Sequence, residues 1–166
     1  MTEDGPKFLL DSNVLITAHR LYYAFDICPG YWAALKAGHA AGRIYSTQRV
    51  LTELRRGADI LVDWVEQELP ADFFVDDSAA GVISADAPMM QWVQSRDYTP
   101  AAKTKFASDA DGWLVATAKQ DGHVLVTHET RSDAKARVPM PNVCEHFGVS
   151  YCDTYGMLRA LSCRFQ

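Results

Sequence analysis

Two carboxylates stand directly after apolar runs that predict buried strands. Asp11 follows residues 8–10, and Glu129 closes the segment HVLVTHE, which begins with a second such run. Continuous apolar runs are typical of strands buried on both faces of a parallel sheet. Because ligands of open α/β sheets collect at the carboxyl ends of strands, we expect Asp11 and Glu129 to share one sheet edge. Taken singly, Asp11 could instead cap the next helix, and Glu129 could lie in a solvated loop.

Two further carboxylates lie on predicted helices. Asp111 begins a helix with apolar residues three, four and seven positions later, which puts it at the N-terminal end of the buried stripe. Its spacing from Ser108 also fits a helix cap. Glu53 lies at the edge of an apolar stripe, where Arg49 and Arg56 could form ordinary surface ion pairs with it. Each position alone leaves both interpretations open.

The convergence of four acids favours a metal site. Carboxylates that meet without a cation repel one another and raise each other's pKa values. Ligation by oxygen atoms alone points to Mg²⁺ or Mn²⁺ rather than Zn²⁺. Because bound magnesium also accepts phosphate oxygens as ligands, phosphodiester hydrolysis is the chemistry we expect from this site.

Length and composition indicate the general class of protein. The 166 residues are 48% hydrophobic, which predicts a single globular domain over residues 1–166. The sequence has no apolar run of the ~20 residues that a membrane span needs. The start MTEDGPK does not resemble a signal peptide, so we expect a cytoplasmic protein that contacts no membrane. The four cysteines show no CxxC pairing and are expected to be free thiols.

The formal net charge of −5 argues against a broad nucleic-acid-binding face. It does not exclude a nuclease, because acids that hold a metal contribute to that charge. Five basic residues flank the predicted acids and could hold an RNA backbone, although such residues also serve solubility. These residues are Lys103, Lys105, Arg131, Lys135 and Arg137.

Strands alternate with helices along the chain, which predicts a three-layer α/β/α fold with a mainly parallel central sheet. The predicted strands cover residues 8–10, 43–46, 124–126 and 149–151, and residues 73–75 are too short to assign. The predicted helices cover residues 11–22, 29–42, 47–57, 59–69, 82–95, 109–120 and 153–161. Asn142 and Glu145 have the spacing of a capping box for a further short helix. Residues 96–106 and 130–138 are predicted loops.

Four short segments that carry the acids follow one another in a recognisable order. LLDSNVLI contains Asp11, RVLTEL contains Glu53, SDADGWLVATAKQDG contains Asp111, and HVLVTHE contains Glu129. In this order the sequence resembles the PIN domain family of metal-dependent ribonucleases, over about residues 7 to 165. The resemblance implies that these four acids are the metal ligands, with Asp109 as an accessory acid.

The resemblance also implies an RNA substrate and, in VapC-like members, a toxin with a cognate antitoxin that commonly forms a homodimer. Ser12, Asn13 and Thr127 would then orient the ligands. The sequence departs from the family at Glu129, where an aspartate is usual. The segments FDICPGYW and VPMPNVCEHFGV are unlike the common toxins, so the chain resembles a less characterised bacterial branch.

Two other functions remain open from the sequence. An aspartyl phosphotransfer enzyme would use Asp11 as nucleophile, but Asn13 stands where that pattern needs a second aspartate. A degenerate PIN scaffold would bind RNA or protein without catalysis. His128 could ligate a metal or act as a base, but its position also suits an ordinary histidine at a strand end.

Overall fold

The central strand of the sheet is the apolar segment that ends at Asp11. The computed structural model describes residues 5–165. In it, β1 (Phe8–Leu10) is buried throughout and pairs with β2 (Ile44–Thr47) on one side and β4 (Val124–Val126) on the other. Leu10 lies opposite Val126 in the β1–β4 register. The two apolar strands are therefore adjacent and parallel, so their carboxyl ends share one sheet edge as predicted.

The sheet has the order β3-β2-β1-β4-β5, with β3 (Phe74–Val75) and β5 (Tyr151–Cys152) at its edges. All four strand pairings are parallel. The chain runs outward from β1 through β2 to β3 and then resumes on the other side with β4, so the strand order reverses between β1 and β4. In open parallel sheets, this switch point is where a ligand crevice forms at the carboxyl ends of the strands.

Helices connect successive strands and cover the sheet, giving the predicted three-layer α/β/α architecture. The helices are α1 (Ser12–Thr17), α2 (Pro29–Ala40), α3 (Gln48–Gly57), α4 (Ile60–Glu68), α5 (Ala80–Ser95), α6 (Pro100–Ser108), α7 (Ala110–Asp121), α8 (Met140–Phe147) and α9 (Thr154–Ala160). A π-helical turn (Ala18–Tyr22) continues α1, and a 3-10 turn (Ala71–Phe73) precedes β3. Helix α7 packs against α3, α5, α6 and α8, while α2 packs on β2.

Side-chain caps fix the starts of several helices. Thr47 accepts a hydrogen bond from the Val50 amide at 3.3 Å, and Asp153 accepts one from the Gly156 amide at 2.8 Å, at the two positions where the predicted helices 47–57 and 153–161 begin. Helix α7 ends at Gly122, whose φ of 69° is the left-handed conformation that glycine adopts without strain.

Two local predictions are wrong. Residues 96–106 are not a loop throughout, because Thr99 caps α6 by accepting from the Ala102 amide and Pro100 occupies its first turn. The predicted capping box at Asn142 does not form, because its side chain instead bonds the backbone of Ser132 in both directions. By contrast, the predicted helix over residues 11–22 is confirmed, with residues 12–17 α-helical and residues 18–22 continuing as the π-helical turn.

One hydrophobic cluster joins the sheet to the helices, with Leu9, Leu10, Leu15, Leu114 and Leu125 fully buried. The four cysteines form no disulfide, as predicted. No helix formed by residues 5–165 has the length and apolar character that crossing a membrane requires. The single-domain assignment for residues 1–166 stays a prediction.

Candidate functional site

Asp11 lies at the switch point, immediately after β1, and is only 3% exposed. It occupies the N-cap position of α1, but its side chain makes no capping hydrogen bond. Its Oδ1 instead accepts from Ser12 Oγ at 3.3 Å, and its Oδ2 accepts from Thr127 Oγ1 at 3.2 Å. Burial raises the pKa of Asp11 to about 6, the Thr127 hydrogen bond opposes the rise, and the charge of Glu53 adds to it. The capping interpretation of Asp11 is therefore wrong.

Asp111 lies in the first turn of α7, with the predicted apolar stripe of that helix buried behind it. Burial, together with the charges of Asp11 and Glu53, raises the pKa of Asp111 to about 7. Ser108 does not form the expected cap, since its hydroxyl donates to the Lys105 carbonyl. Within residues 5–165, no hydrogen-bond donor reaches the Asp111 carboxylate. The Asp111 carboxylate therefore lies near Asp11 and Glu53 and has no hydrogen-bond donor among residues 5–165.

Glu53 is half-buried on α3 and contributes the third negative charge. The surface ion pairs expected for it do not form in the described part of the chain. Arg49 turns instead to Asp77, at 3.5 Å, and stacks on the Trp113 ring at 4.1 Å. The structure therefore brings Asp11, Glu53 and Asp111 near enough to one another for their charges to interact.

The three carboxylates are near one another, but they are too far apart to coordinate one metal ion together. Among the described residues, no three His, Cys, Asp or Glu side chains lie close enough together to hold a metal ion as they stand. The donor set nevertheless suits a hard divalent cation, because it offers carboxylate oxygens and no basic side chain among residues 5–165 forms an ion pair with Asp11, Glu53 or Asp111. Metal binding would have to draw the carboxylates closer.

Glu129 follows β4 as predicted, but both its carboxylate oxygens are already engaged. Oε1 pairs with the Arg137 guanidinium, and Oε2 accepts from the Met140 backbone amide at 2.8 Å. Its own amide donates to Thr127 Oγ1 at 3.1 Å. Arg137 also lies near enough to Asp111 to lower its pKa. In this structure, Glu129 thus anchors the start of α8 and holds Arg137 beside the acids.

The residues predicted to orient or assist the metal ligands do not all lie beside Asp11. Ser12 and Thr127 contact Asp11 directly, whereas Asn13 is exposed and lines an adjoining cavity of about 480 Å³ with Glu129 and Arg137. Asp109 accepts from Lys105 Nζ at 2.7 Å, beside rather than within the group of acids.

The five predicted RNA-contacting residues are mostly paired with protein groups. Lys105 pairs with Asp109, Lys135 with Asp97 at 2.9 Å, and Arg137 with Glu129. Arg131 pairs with Asp133 and Glu145 at 3.2 and 3.0 Å. Lys103 lies on α6 rather than in a loop, and it donates to the Gln94 carbonyl at 2.9 Å. Their role in binding RNA stays a prediction.

His128 shares a hydrogen bond with Thr154 through Nε2 and Oγ1, at 2.8 Å. Burial lowers its pKa below the ordinary value for histidine. Because its ring is held toward α9 rather than toward Asp11, the structure favours the ordinary strand-end interpretation.

The sequence analysis missed one acid on the same sheet edge. Asp77 follows β3, is buried, and pairs with Arg49. Burial raises the pKa of this carboxyl, and the Arg49 charge opposes the rise. The available signal was its position after the apolar residues 73–75, which are too few to predict a strand with confidence from periodicity.

Comparison with known proteins places the chain in a family and a fold. A family model described as "Domain of unknown function (DUF4411)" matches residues 8–165. No curated protein is similar enough to the chain to be counted as a relative. The crystal structure of FitAcB from Neisseria gonorrhoeae is similar with a TM-score of 0.55 at 20% sequence identity, over 87% of this chain and 95% of that one. At this identity the likeness establishes the fold alone, and that fold is the predicted three-layer α/β/α arrangement.

Proposed function

The chain belongs to the DUF4411 family, and we propose that it is an endoribonuclease that depends on Mg²⁺ or Mn²⁺. The observation that carries the proposal is the meeting of Asp11, Glu53 and Asp111 at the switch point of a parallel sheet. Asp11 is buried with two hydroxyl groups as its side-chain partners, and Asp111 has no donor within hydrogen-bond distance in residues 5–165. Neighbouring carboxylates that are partly or fully buried raise one another's pKa values, and a bound cation would relieve this repulsion.

Asp11, Glu53 and Asp111 would hold the metal, with Ser12 and Thr127 fixing the orientation of Asp11 through their hydroxyls. A hard divalent ion bound there would activate water for in-line attack on phosphorus and neutralise the charge that develops. Glu129 was predicted as the fourth ligand. To serve as one, it would have to give up one of its two present partners.

Arg137 is the side chain best placed to meet an RNA phosphate near the acids. It is 56% exposed, is fixed by Glu129, and lies close enough to Asp111 to lower its pKa. A guanidinium offers two parallel donors to a phosphate group, and this pair of bonds suits a scissile phosphate beside the acids. Glu129 would then act by positioning Arg137.

The biological setting we propose is that of a toxin held by an antitoxin protein, in a homodimer. The support is the resemblance of the four acid-bearing segments to VapC-like PIN domains, together with the PIN-like fold.

The main alternative is a PIN-like scaffold that binds RNA or protein without cleaving it. One observation favours this alternative: in the part of the chain that the structure describes, no three potential ligands are grouped to hold a metal. A catalytic protein would need its carboxylates to close on the ion, whereas a scaffold would not.

A cleavage assay separates the candidates. Structured and single-stranded RNAs are incubated with the protein in Mg²⁺ or Mn²⁺, with and without chelator, beside the Asp11→Asn variant. We expect short RNA fragments from the parent protein in metal only. Cleavage that continues in chelator would refute the mechanism, binding without cleavage would support the scaffold, and a phosphorylated protein would support the phosphotransfer enzyme.

A further inference from the structure

A second cavity adjoins the one that Asn13, Glu129 and Arg137 line, on the other side of His128. It has a volume of about 470 Å³, within the range of small-molecule sites. Thr17 and His128 line both this cavity and the adjoining one of about 480 Å³. The adjoining cavity is also lined by Asn13 and Arg137. The two cavities therefore form one groove that leads away from the proposed phosphate position. The remaining lining residues are Val14, Ala18, Tyr22, Tyr23, Asp153, Thr154 and Tyr155.

Two tyrosines that line this cavity are exposed to solvent, and the Arg159 guanidinium lies over the Tyr155 ring at 5.9 Å from its centroid. Tyr22 is 62% exposed and Tyr155 is 53% exposed. Aromatic rings on a protein surface that border a nucleic-acid path are the groups on which unpaired bases stack. Stacking does not depend on the identity of the base, because every base has a π-face.

The backbone that carries Tyr22 is held firmly in its unusual conformation. The Tyr23 amide closes the π-helical turn onto the Ala18 carbonyl at 2.6 Å, and the Trp32 indole donates to the Tyr23 carbonyl at 2.6 Å. The Tyr23 ring stacks on Tyr31 with centroids 4.4 Å apart. π-helical turns often occur at functional sites, and this one projects Tyr22 from a rigid support.

The interior of the cavity combines apolar and polar groups. Val14 and Ala18 are buried behind its wall, Thr17 adds a hydroxyl, and the Thr154 hydroxyl is already bonded to His128 Nε2. Asp153 uses Oδ1 to cap α9, and no donor from residues 5–165 engages its Oδ2. That oxygen is an acceptor for the N–H groups on a base edge, as single-stranded recognition requires.

We propose that this cavity is a nucleobase-binding subsite, which takes an unpaired base of single-stranded RNA a short distance from the bond that is cut. The proposal rests on the proposed function, and it adds a preference for single-stranded substrate at this position. Stacking by Tyr22 and Tyr155 would hold the base, while Arg137 would meet the backbone at the other end of the groove.

The test measures affinity for a short labelled single-stranded RNA by fluorescence anisotropy, in chelator so that no cleavage occurs. We expect Tyr22→Ala and Tyr155→Ala each to weaken binding by about 5- to 150-fold, and Tyr22→Phe to bind like the parent. Leu21→Ala is the matched control, because Leu21 lies on the same π-helical turn, is 72% exposed and does not line the cavity. It should leave the affinity unchanged.

An abasic scan of the same RNA identifies the contact as stacking. Removing one base at a single position should weaken binding to the parent protein, and Tyr22→Ala should no longer distinguish that abasic RNA from the intact one. Equal affinity of parent and Tyr22→Ala for the intact RNA, with metal-dependent cleavage preserved, would overturn the subsite and leave the proposed function standing. In that case, the exposed rings of Tyr22 and Tyr155 would suit contact with a protein partner instead of RNA. A parent that neither binds nor cleaves RNA would overturn both.

Discussion

Thr127 Oγ1 donates to Asp11 Oδ2 at 3.2 Å, which joins the ends of β4 and β1 across 116 positions of the sequence. The same hydroxyl oxygen accepts from the Glu129 amide at 3.1 Å. One threonine thus fixes the orientation of the buried acid and the path of the chain beyond β4. The geometry of the candidate site depends on this contact between the two adjacent strands at the switch point.

Replacing Thr127 tests this contact. Thr127→Val removes the donor but keeps the shape, and the loss of a hydrogen bond that orients a ligand typically costs 10- to 100-fold in metal affinity. We expect about that loss in a calorimetric titration with Mn²⁺. Thr127→Ser keeps the hydroxyl and serves as the control. Equal Mn²⁺ affinity of the valine and serine variants would show that the contact does not orient a metal ligand.

Replacing Asp111 separates a metal ligand from a residue that merely suits a helix start. If its charge only favours the α7 dipole, Asp111→Asn should cost about 0.3–1 kcal/mol of stability, with or without metal. If it meets Asp11 and Glu53 as a metal ligand, the variant should match or exceed the parent in chelator, because repulsion is relieved. Metal should reverse that order, since binding to the native state contributes about 2.7 kcal/mol at one hundred times Kd.

The measurement is the melting temperature of both proteins in chelator and in a Mn²⁺ series. Asp63→Asn is the matched control, because Asp63 is an exposed acid in the first turn of α4. We expect it to respond to metal as the parent does. A parent whose melting temperature does not rise with metal, beside an Asp111→Asn variant that is less stable in chelator, would return Asp111 to the helix-start role.

The metal-free protein should lose stability as pH rises through the weakly acidic range. The pKa values of Asp11 and Asp111 are raised from 3.8 to about 6 and about 7 in the folded protein. Between about pH 4 and 7 the native state therefore binds more protons than the unfolded chain, so the free energy of unfolding falls as pH increases. Urea unfolding in chelator across this range measures the slope. Asp111→Asn should flatten the slope relative to the parent, and an unchanged slope would contradict the raised pKa.

The salt dependence of RNA binding should single out Arg137. Arg131 and Lys135 already pair with acids away from the site, whereas Arg137 lies beside Asp111. We expect Arg137→Ala to reduce the slope of log affinity against log salt by about 0.7 for a single strand, the value for one phosphate contact. Arg131→Ala is the matched control and should keep the parent slope. If Arg131→Ala changes the salt slope more than Arg137→Ala does, the RNA passes along the side of loop 130–139 that carries Arg131.

The sequence predicts most of the fold because its strongest signals coincide. The apolar runs before Asp11 and Glu129 predict the two central strands, and the stripe that follows Asp111 predicts the buried face of α7. Helix α6 escapes prediction because Ala102 and Phe106 are its buried residues, too few for a clear period. Its Thr99-Pro100 start was the usable signal, since threonine caps helices and proline suits the first turn.

The site is predictable in its location but not in its contacts. The ends of the predicted strands indicate which acids reach the switch point, and Asp11 lies there as predicted. The engagement of Glu129 by Arg137 and by the Met140 amide depends on how the loop 130–139 folds back, which no local pattern encodes. For the same reason, a sequence pattern that brings Glu129 to the sheet edge does not fix where its carboxylate points.

The most direct test of the metal site is an anomalous diffraction experiment on crystals soaked in Mn²⁺. We expect an anomalous peak in contact with the carboxylates of Asp11 and Asp111, with Glu53 drawn toward it, and no such peak in crystals of Asp11→Asn soaked in the same way. The same map would show whether Glu129 leaves Arg137 to join the metal. A fully soaked crystal of the parent protein with no peak at Asp11 would contradict the proposed metal site.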